Sequence, residues 1–148
     1  VTEISGEGAS ALQAAAANLA AATIPVEVID AVGEQLPLPA DSVDSALFAY
    51  VLCSVDDPEL VVAETLRVLR PGGTIAVLEH VKATEGTWMR RAQRLASPLW
   101  PYVAGGCRCD QDTKAVFEAA GLDLSGLSSP NLTPVPPVAP SLVGTITV

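Results

Sequence analysis

Residues 44–78 constrain the fold more than any other stretch, because they spell a strand, a capped helix and a second strand in immediate succession. Asp44 to Ala49 reads as a buried strand. Asp56-Asp57-Pro58 then offers an N-cap carboxylate followed by proline at the first helical position, where no N–H is needed. The helix expected over Glu59 to Leu69 carries Leu60, Ala63, Leu66 and Leu69 at helical spacing, which predicts one face packed on a sheet. Arg70-Pro71-Gly72-Gly73 closes it, since proline cannot continue a helix and glycine accepts the turn conformation. Thr74 to Leu78 is a continuous apolar run, as expected of a strand covered on both faces. Parallel neighbours need such a crossover, so the unit is βαβ and the chain is α/β.

The alternation extends in both directions. Val1 to Ile4 and Val26 to Ile29 read as strands, and the Ala-rich stretch from Ser10 to Thr23 reads as a helix stopped by Pro25. Asp112 to Ala120 is expected to be a helix ended by Gly121, and Leu122 to Leu127 a short strand. The Pro-rich link from Pro130 to Pro140 cannot be a central strand, whereas Ser141 to Val148 alternates as a final one. Glu85 to Gly106 differs in texture, with Trp88, Ala92, Leu95 and Leu99 on one helical face and Arg90, Arg91 and Arg94 on the other. That pattern predicts a helix with its basic face in water and its apolar face on the body, placed as a substrate-side insertion or lid. With 148 residues, 49% of them hydrophobic, and a mean hydropathy of +0.39, the chain suffices for one domain with a real core. No run approaches the roughly 18 apolar residues of a membrane span.

No Lys or Arg precedes Arg67: residues 1–66 hold eleven acids and no base, residues 67–148 hold eight bases and six acids, and the net charge is −9. A nucleic-acid partner is not expected, because neutralising phosphates needs clustered cations. Nor is there a basic n-region for a signal peptide. The three cysteines, Cys53, Cys107 and Cys109, are an odd number in a chain too large to need stapling, which points to the reducing cytoplasm.

In an open parallel sheet, ligands gather at the carboxyl ends of the strands. Gly6-Glu7-Gly8 and Ala11, with Asp30 after the next strand, match the skeleton of a dinucleotide fingerprint and keep an NAD(P)-binding alternative open. Glu79 and His80 stand together at the end of the Thr74 strand, where an acid and an imidazole suit general-base work. Cys107-x-Cys109 lacks the spacing of a zinc site, so no metal is expected. A single histidine without a nucleophile elbow argues against a hydrolase triad.

Further residues carry a resemblance. Leu36-Pro37-Leu38-Pro39-Ala40-Asp41-Ser42-Val43-Asp44, Tyr50-Val51-Leu52-Cys53-Ser54-Val55, Glu64-Thr65-Leu66-Arg67-Val68-Leu69-Arg70-Pro71-Gly72-Gly73 and Leu78-Glu79-His80-Val81 closely resemble class I S-adenosylmethionine-dependent methyltransferases. Within that superfamily, Thr87-Trp88, Pro98-Leu99-Trp100 and Gly106-Cys107 followed by Asp112-Thr113 look like the thiol S-methyltransferase-like proteins, relatives of the ubiquinone and menaquinone C-methyltransferases. The resemblance implies a Rossmann-like sheet, mostly parallel with an antiparallel last strand, and S-adenosylmethionine as donor to a small-molecule acceptor such as a thiol or quinone. It implies a ribose-binding acid at Glu3 or Glu7, with Ser5 in the nearest register. Val32, Gly33 and Glu34 would frame the adenine, and Phe48, Ala49 and Tyr50 would lie along the methionine moiety. Cys53, His80 and the Trp88 to Trp100 segment would face the acceptor.

The superfamily's first strand and its glycine-rich loop have no good counterpart. Between Gly8 and Leu36 there is room for one helix and one strand, so Val1 to Ile4 is better read as the second strand of the family order. The fold expected is therefore a methyltransferase sheet truncated at the N-terminus, in which the first strand would lie between the second and fourth. Weak binding of S-adenosylmethionine by the isolated chain is the expectation, with a non-catalytic interaction module as the rival to an impaired enzyme.

Overall fold

The computed structural model describes residues 2–4 and 25–148. Strand β1 (Thr2–Ile4) pairs in parallel with β2 (Glu27–Ile29), Thr2 opposite Glu27 and Ile4 opposite Ile29, as a two-stranded sheet. The second sheet has four strands in the order β3-β4-β6-β5, formed by β3 (Val43–Ala49), β4 (Leu69–His80), β5 (Leu127–Ser128) and β6 (Ser141–Thr147). β3 and β4 run parallel, and β6 runs antiparallel to both β4 and β5. The sheet is thus Rossmann-like with its last strand reversed, as the resemblance implies. The helix expected over Ser10 to Thr23 lies outside the described residues.

Helix α1 (Pro58–Val68) forms the crossover between β3 and β4. Asp57 caps it, its Oδ1 accepting from Leu60 N at 3.0 Å, with Pro58 behind it at the first position. Its packing face agrees with the expected one only at the C-terminal end: Val61, Val62, Thr65 and Val68 are buried, Leu66 packs against the core and Leu69 is 3% exposed, whereas Leu60 is 53% exposed and Ala63 is also exposed. Adjacent valines make two helical stripes about one residue step apart equally plausible on paper, and the sheet takes the β-branched one. The core between α1, α4 (Thr113–Ala119) and the sheet comprises Phe48, Ile75, Val77, Phe117, Leu142 and Ile146, among others.

The turn expected at Arg70 to Gly73 occurs inside β4. Val43 pairs with Leu69 and Ser45 with Thr74, so two steps along β3 match five along β4 and the excess loops out as a bulge. Gly72 takes φ +81° there, and a Cβ on Gly73 would sit 2.8 Å from Arg70 O. Glycine is required at both for that reason.

Residues 85–106 form α2 (Trp88–Ala96) and the short α3 (Trp100–Val103). The expected orientation of α2 is met only in part: Arg91 and Arg94 stand in solvent as expected, but the apolar face does not turn inward. Its buried residue is Gln93, and the Arg90 side chain is only 12% exposed, whereas Trp88 is 65% and Leu95 83% exposed. Gln93 Oε1 accepts from Ala83 N at 2.8 Å, and its Nε2 donates to Val81 O, Cys109 O and Pro137 O at 3.0, 2.8 and 3.1 Å. Arg90 pairs with Glu85 and Asp110 at 3.0 and 3.2 Å. The helix lies over chain segments whose backbone groups lack ladder partners, so a side chain with both donors and an acceptor is drawn in.

Candidate functional site

The parallel pairing of β3 and β4 brings their carboxyl ends together, and Tyr50 N extends the ladder by donating to Leu78 O at 2.9 Å. Tyr50 then takes φ +58°, a conformation rare for a bulky residue, and the chain turns sharply away. The loop that follows is held by Glu79, whose fully buried Oε1 accepts from Val51 N at 2.7 Å and Leu52 N at 3.1 Å. Glu79 Oε2 is buried without a partner. Burial pushes the Glu79 carboxyl up to about 7, against the pull of those two N–H groups.

Glu79 and His80 are neighbours in β4, so their side chains leave opposite faces of the sheet. The structure does not combine them into one acid–imidazole pair. Glu79 lies with Ile75 and Val77 on the face that packs against the helices, while the His80 ring stacks on Tyr50 with centroids 4.2 Å apart and planes 29° apart. Burial holds the His80 imidazole below its usual value, and its Nδ1 is buried without a partner. Burial, the stronger influence, favours the neutral imidazole, against a backbone hydrogen bond with Val138 that favours the charged one.

Tyr50, Cys53, His80, Trp100, Cys107 and Val138 line a concavity of about 320 Å³. Among the residues expected on the acceptor side, Cys53 and Trp100 are thus brought to His80, while Trp88 stands outside on the outer surface of α2. Of the expected cofactor residues, Phe48 belongs to the core, its ring 6.1 Å from that of Phe117, whereas Ala49 and Tyr50 are exposed at the strand end. Val32 is 57% exposed, but Gly33 packs against Val61, and Glu34 accepts from Asp57 N at 3.2 Å, tying the loop to the start of α1. Glu3 is placed by its backbone alone, opposite Val28 in the β1–β2 pair, and Ser5, Gly6, Glu7 and Gly8 lie outside the described residues. Asp30 follows β2 and is exposed.

Sequence reasoning missed Gln93, because one glutamine among arginines has no pattern to mark it. It weighed Cys107 as a metal ligand and as part of the resemblance but did not place it in the acceptor pocket, which it lines. Among the described residues no group of three or more His, Cys, Asp or Glu side chains is arranged to hold a metal ion, and no helix is long and apolar enough to cross a membrane.

Comparison with known proteins agrees with the fold. Residues 3–94 match the model of the methyltransferase domain family. The thiol S-methyltransferase TMT1B of Rattus norvegicus is 38% identical over 93 residues, which cover 62% of this chain and 38% of that protein. The ubiquinone/menaquinone biosynthesis C-methyltransferase UbiE of Hahella chejuensis is 42% identical over 116 residues, covering 67% of this chain and 47% of the relative. The chain thus spans less than half the length of these curated relatives. Among solved structures, an S-adenosylmethionine-dependent methyltransferase of Methanosarcina mazei superposes with a TM-score of 0.73 at 18% identity, over 99% of this chain and 81% of the other. The [4+2]-cyclase SpnF superposes with a TM-score of 0.65 at 25% identity, over 86% of this chain and 44% of the other. With the family model covering well over half its residues, the chain belongs to the methyltransferase domain family, the class I S-adenosylmethionine-dependent methyltransferases.

Proposed function

We propose that the chain takes part in methyl transfer to a small thiol or quinol held in the pocket between Tyr50, Cys53, His80 and Trp100. The observation that carries the reading is His80: an imidazole whose proton affinity burial lowers, stacked on Tyr50, in the lining of a concavity of small-molecule size. When bound, S-adenosylmethionine supplies an already activated sulfonium methyl group, so the protein need only align the acceptor and take its proton. The residues present suit such a ligand: Val32 and Ala49 stand uncovered for apolar and backbone contact, and the acid-rich first 66 residues carry no competing cation. His80 takes the acceptor's proton as the thiol sulfur, or for a quinol the ring carbon, forms its bond to the methyl carbon. Glu79 shapes the Val51-Leu52 loop from beneath, and residues 85–106 cover the acceptor through Trp100.

The relatives' names support a thiol or a quinol as acceptor, and the lack of any Lys or Arg in the pocket lining favours a neutral one. A transfer assay with labelled S-adenosylmethionine at saturating concentration, against a panel of small thiols and quinols, tests the reading. Transfer to at least one is expected, and His80→Ala should lower it by about a hundredfold near pH 6. The deficit should shrink toward pH 9, where a thiol acceptor ionises unaided. Absence of transfer to every acceptor, or a His80→Ala profile identical to that of the parent, would overturn it.

A further inference from the structure

We propose that Cys53 and Cys107 form a reversible disulfide across the pocket, so that oxidation ties the loop after β3 to the segment after α3. Cys53 O accepts from Arg108 N at 2.7 Å. Arg108 follows Cys107 directly, so planar peptide geometry keeps the two cysteine Cα atoms less than about 6 Å apart, within the roughly 4.4–6.8 Å that disulfides span. Both thiols are free, both line the same concavity, and each is the largest influence on the other's acidity.

The two are unequal in the way a sensor pair requires. Cys53 is 1% exposed and its thiol is pushed well up, first by the Cys107 thiol and then by burial. Cys107 is only partly buried, and its thiol is held below the usual value, chiefly by Cys53. Cys107 is therefore the attacking group and Cys53 the resolving one. Gly105 and Gly106, at φ +58° and +85° with open space around them, give the Cys107 segment freedom to close the remaining distance. Cys109 is fully buried beneath α2, its sulfur 4.0 Å from Gln93 O, and lines no part of the pocket.

A small disulfide such as oxidised glutathione supplies the oxidant. The Cys107 thiolate attacks one of its sulfurs and releases one glutathione thiolate. Cys53 then gives up its proton and attacks the Cys107 sulfur, releasing the second. Two protein thiols are oxidised, and one glutathione disulfide is reduced to two thiols. The new bond spans the cavity and denies it to an acceptor, a consequence that rests on the proposed function as the bond itself does not.

Incubation with oxidised glutathione, followed by thiol titration in denaturant and non-reducing peptide mapping, tests the bond. The three titratable thiols should fall to one, Cys109, with the Cys53 and Cys107 peptides linked and dithiothreitol reversing the link. Cys53→Ser should instead accumulate a glutathione adduct at Cys107. Three remaining thiols, a stable adduct on the parent chain, or a link to Cys109 would overturn the proposal. None of these readouts measures methyl transfer, so failure here leaves the proposed function standing, and failure of that function leaves the bond standing.

Discussion

Glu79 does two things that pull its proton affinity in opposite directions. Its Oε1 accepts from two loop N–H groups, which favours the charged form, while complete burial of a carboxyl with one oxygen unpartnered favours the neutral one. Burial wins, and the folded value of about 7 lies above the ordinary 4.5. In that interval the native state binds more protons than the unfolded one. The stability linked to Glu79 is therefore full below about pH 4.5 and is lost as pH rises through about 7. The gap corresponds to about 3 kcal/mol. His80, whose folded value is depressed, acts with the opposite sign, losing stability as pH falls, so the parent curve alone mixes the two. Subtracting the urea-unfolding free energy of Glu79→Gln, which keeps the oxygen for Val51 and Leu52, removes the His80 contribution. The difference, parent minus variant, should fall by about 3 kcal/mol between pH 4.5 and 8, and a flat difference would mean that Glu79 ionises normally in the fold.

At the scale of elements, α2 shows how burial follows unpaired backbone more than apolarity. The helix covers the exit of β4, the Cys109 segment and the Pro-rich link, where Ala83 N and the carbonyls of Val81, Cys109 and Pro137 have Gln93 as a partner. Gln93→Ala should strip these groups and lower stability by about 2–4 kcal/mol, whereas Leu95→Lys, at a position 83% exposed, should change it by less than about 0.5 kcal/mol. Chemical denaturation of the two variants decides between this orientation and the one the sequence suggests, in which Leu95 would be the costly loss. Periodicity located the helix but not which face turns inward, since amphipathicity assumes that the body offers an apolar surface. α1 erred more mildly, by one residue step. Its start was legible because an Asp-Pro cap acts locally, and β3 and β6 were legible as strands, although β3, expected to be buried, buries only Phe48 and leaves Leu47 65% exposed. The same locality explains why Glu79 and His80 looked like a pair: adjacency is visible in sequence, and the alternation of faces along a strand separates them. Cys53, His80 and Trp100 meet through contacts distant in sequence, and the resemblance, not any local pattern, grouped them on the acceptor side; Tyr50, which it assigned to the methionine moiety, lines the same concavity.

Over the whole molecule, the two sheets are unequal. β4 is the centre of the larger one, paired along most of its length with β3 on one side and β6 on the other, and its Ile75 and Val77 side chains are 0% and 3% exposed. β1 and β2 form three-residue strands that pair with each other and, among the described residues, join no third strand. An isolated pair of short strands is marginal in water, because few ladder bonds must offset the ordering of the backbone. A sheet with a continuous core opens only with the whole fold. Hydrogen exchange should therefore divide the molecule along the sheets. Amides from Thr74 to Leu78 should exchange at the rate of global unfolding and slow with added stability. Those of Thr2–Ile4 and Glu27–Ile29 should exchange at least about a hundredfold faster and respond little to denaturant, as expected of a local opening. Equal protection of both groups would mean that β1 and β2 unfold with the larger sheet as one cooperative unit, and that packing between the sheets contributes as much as the ladders within them.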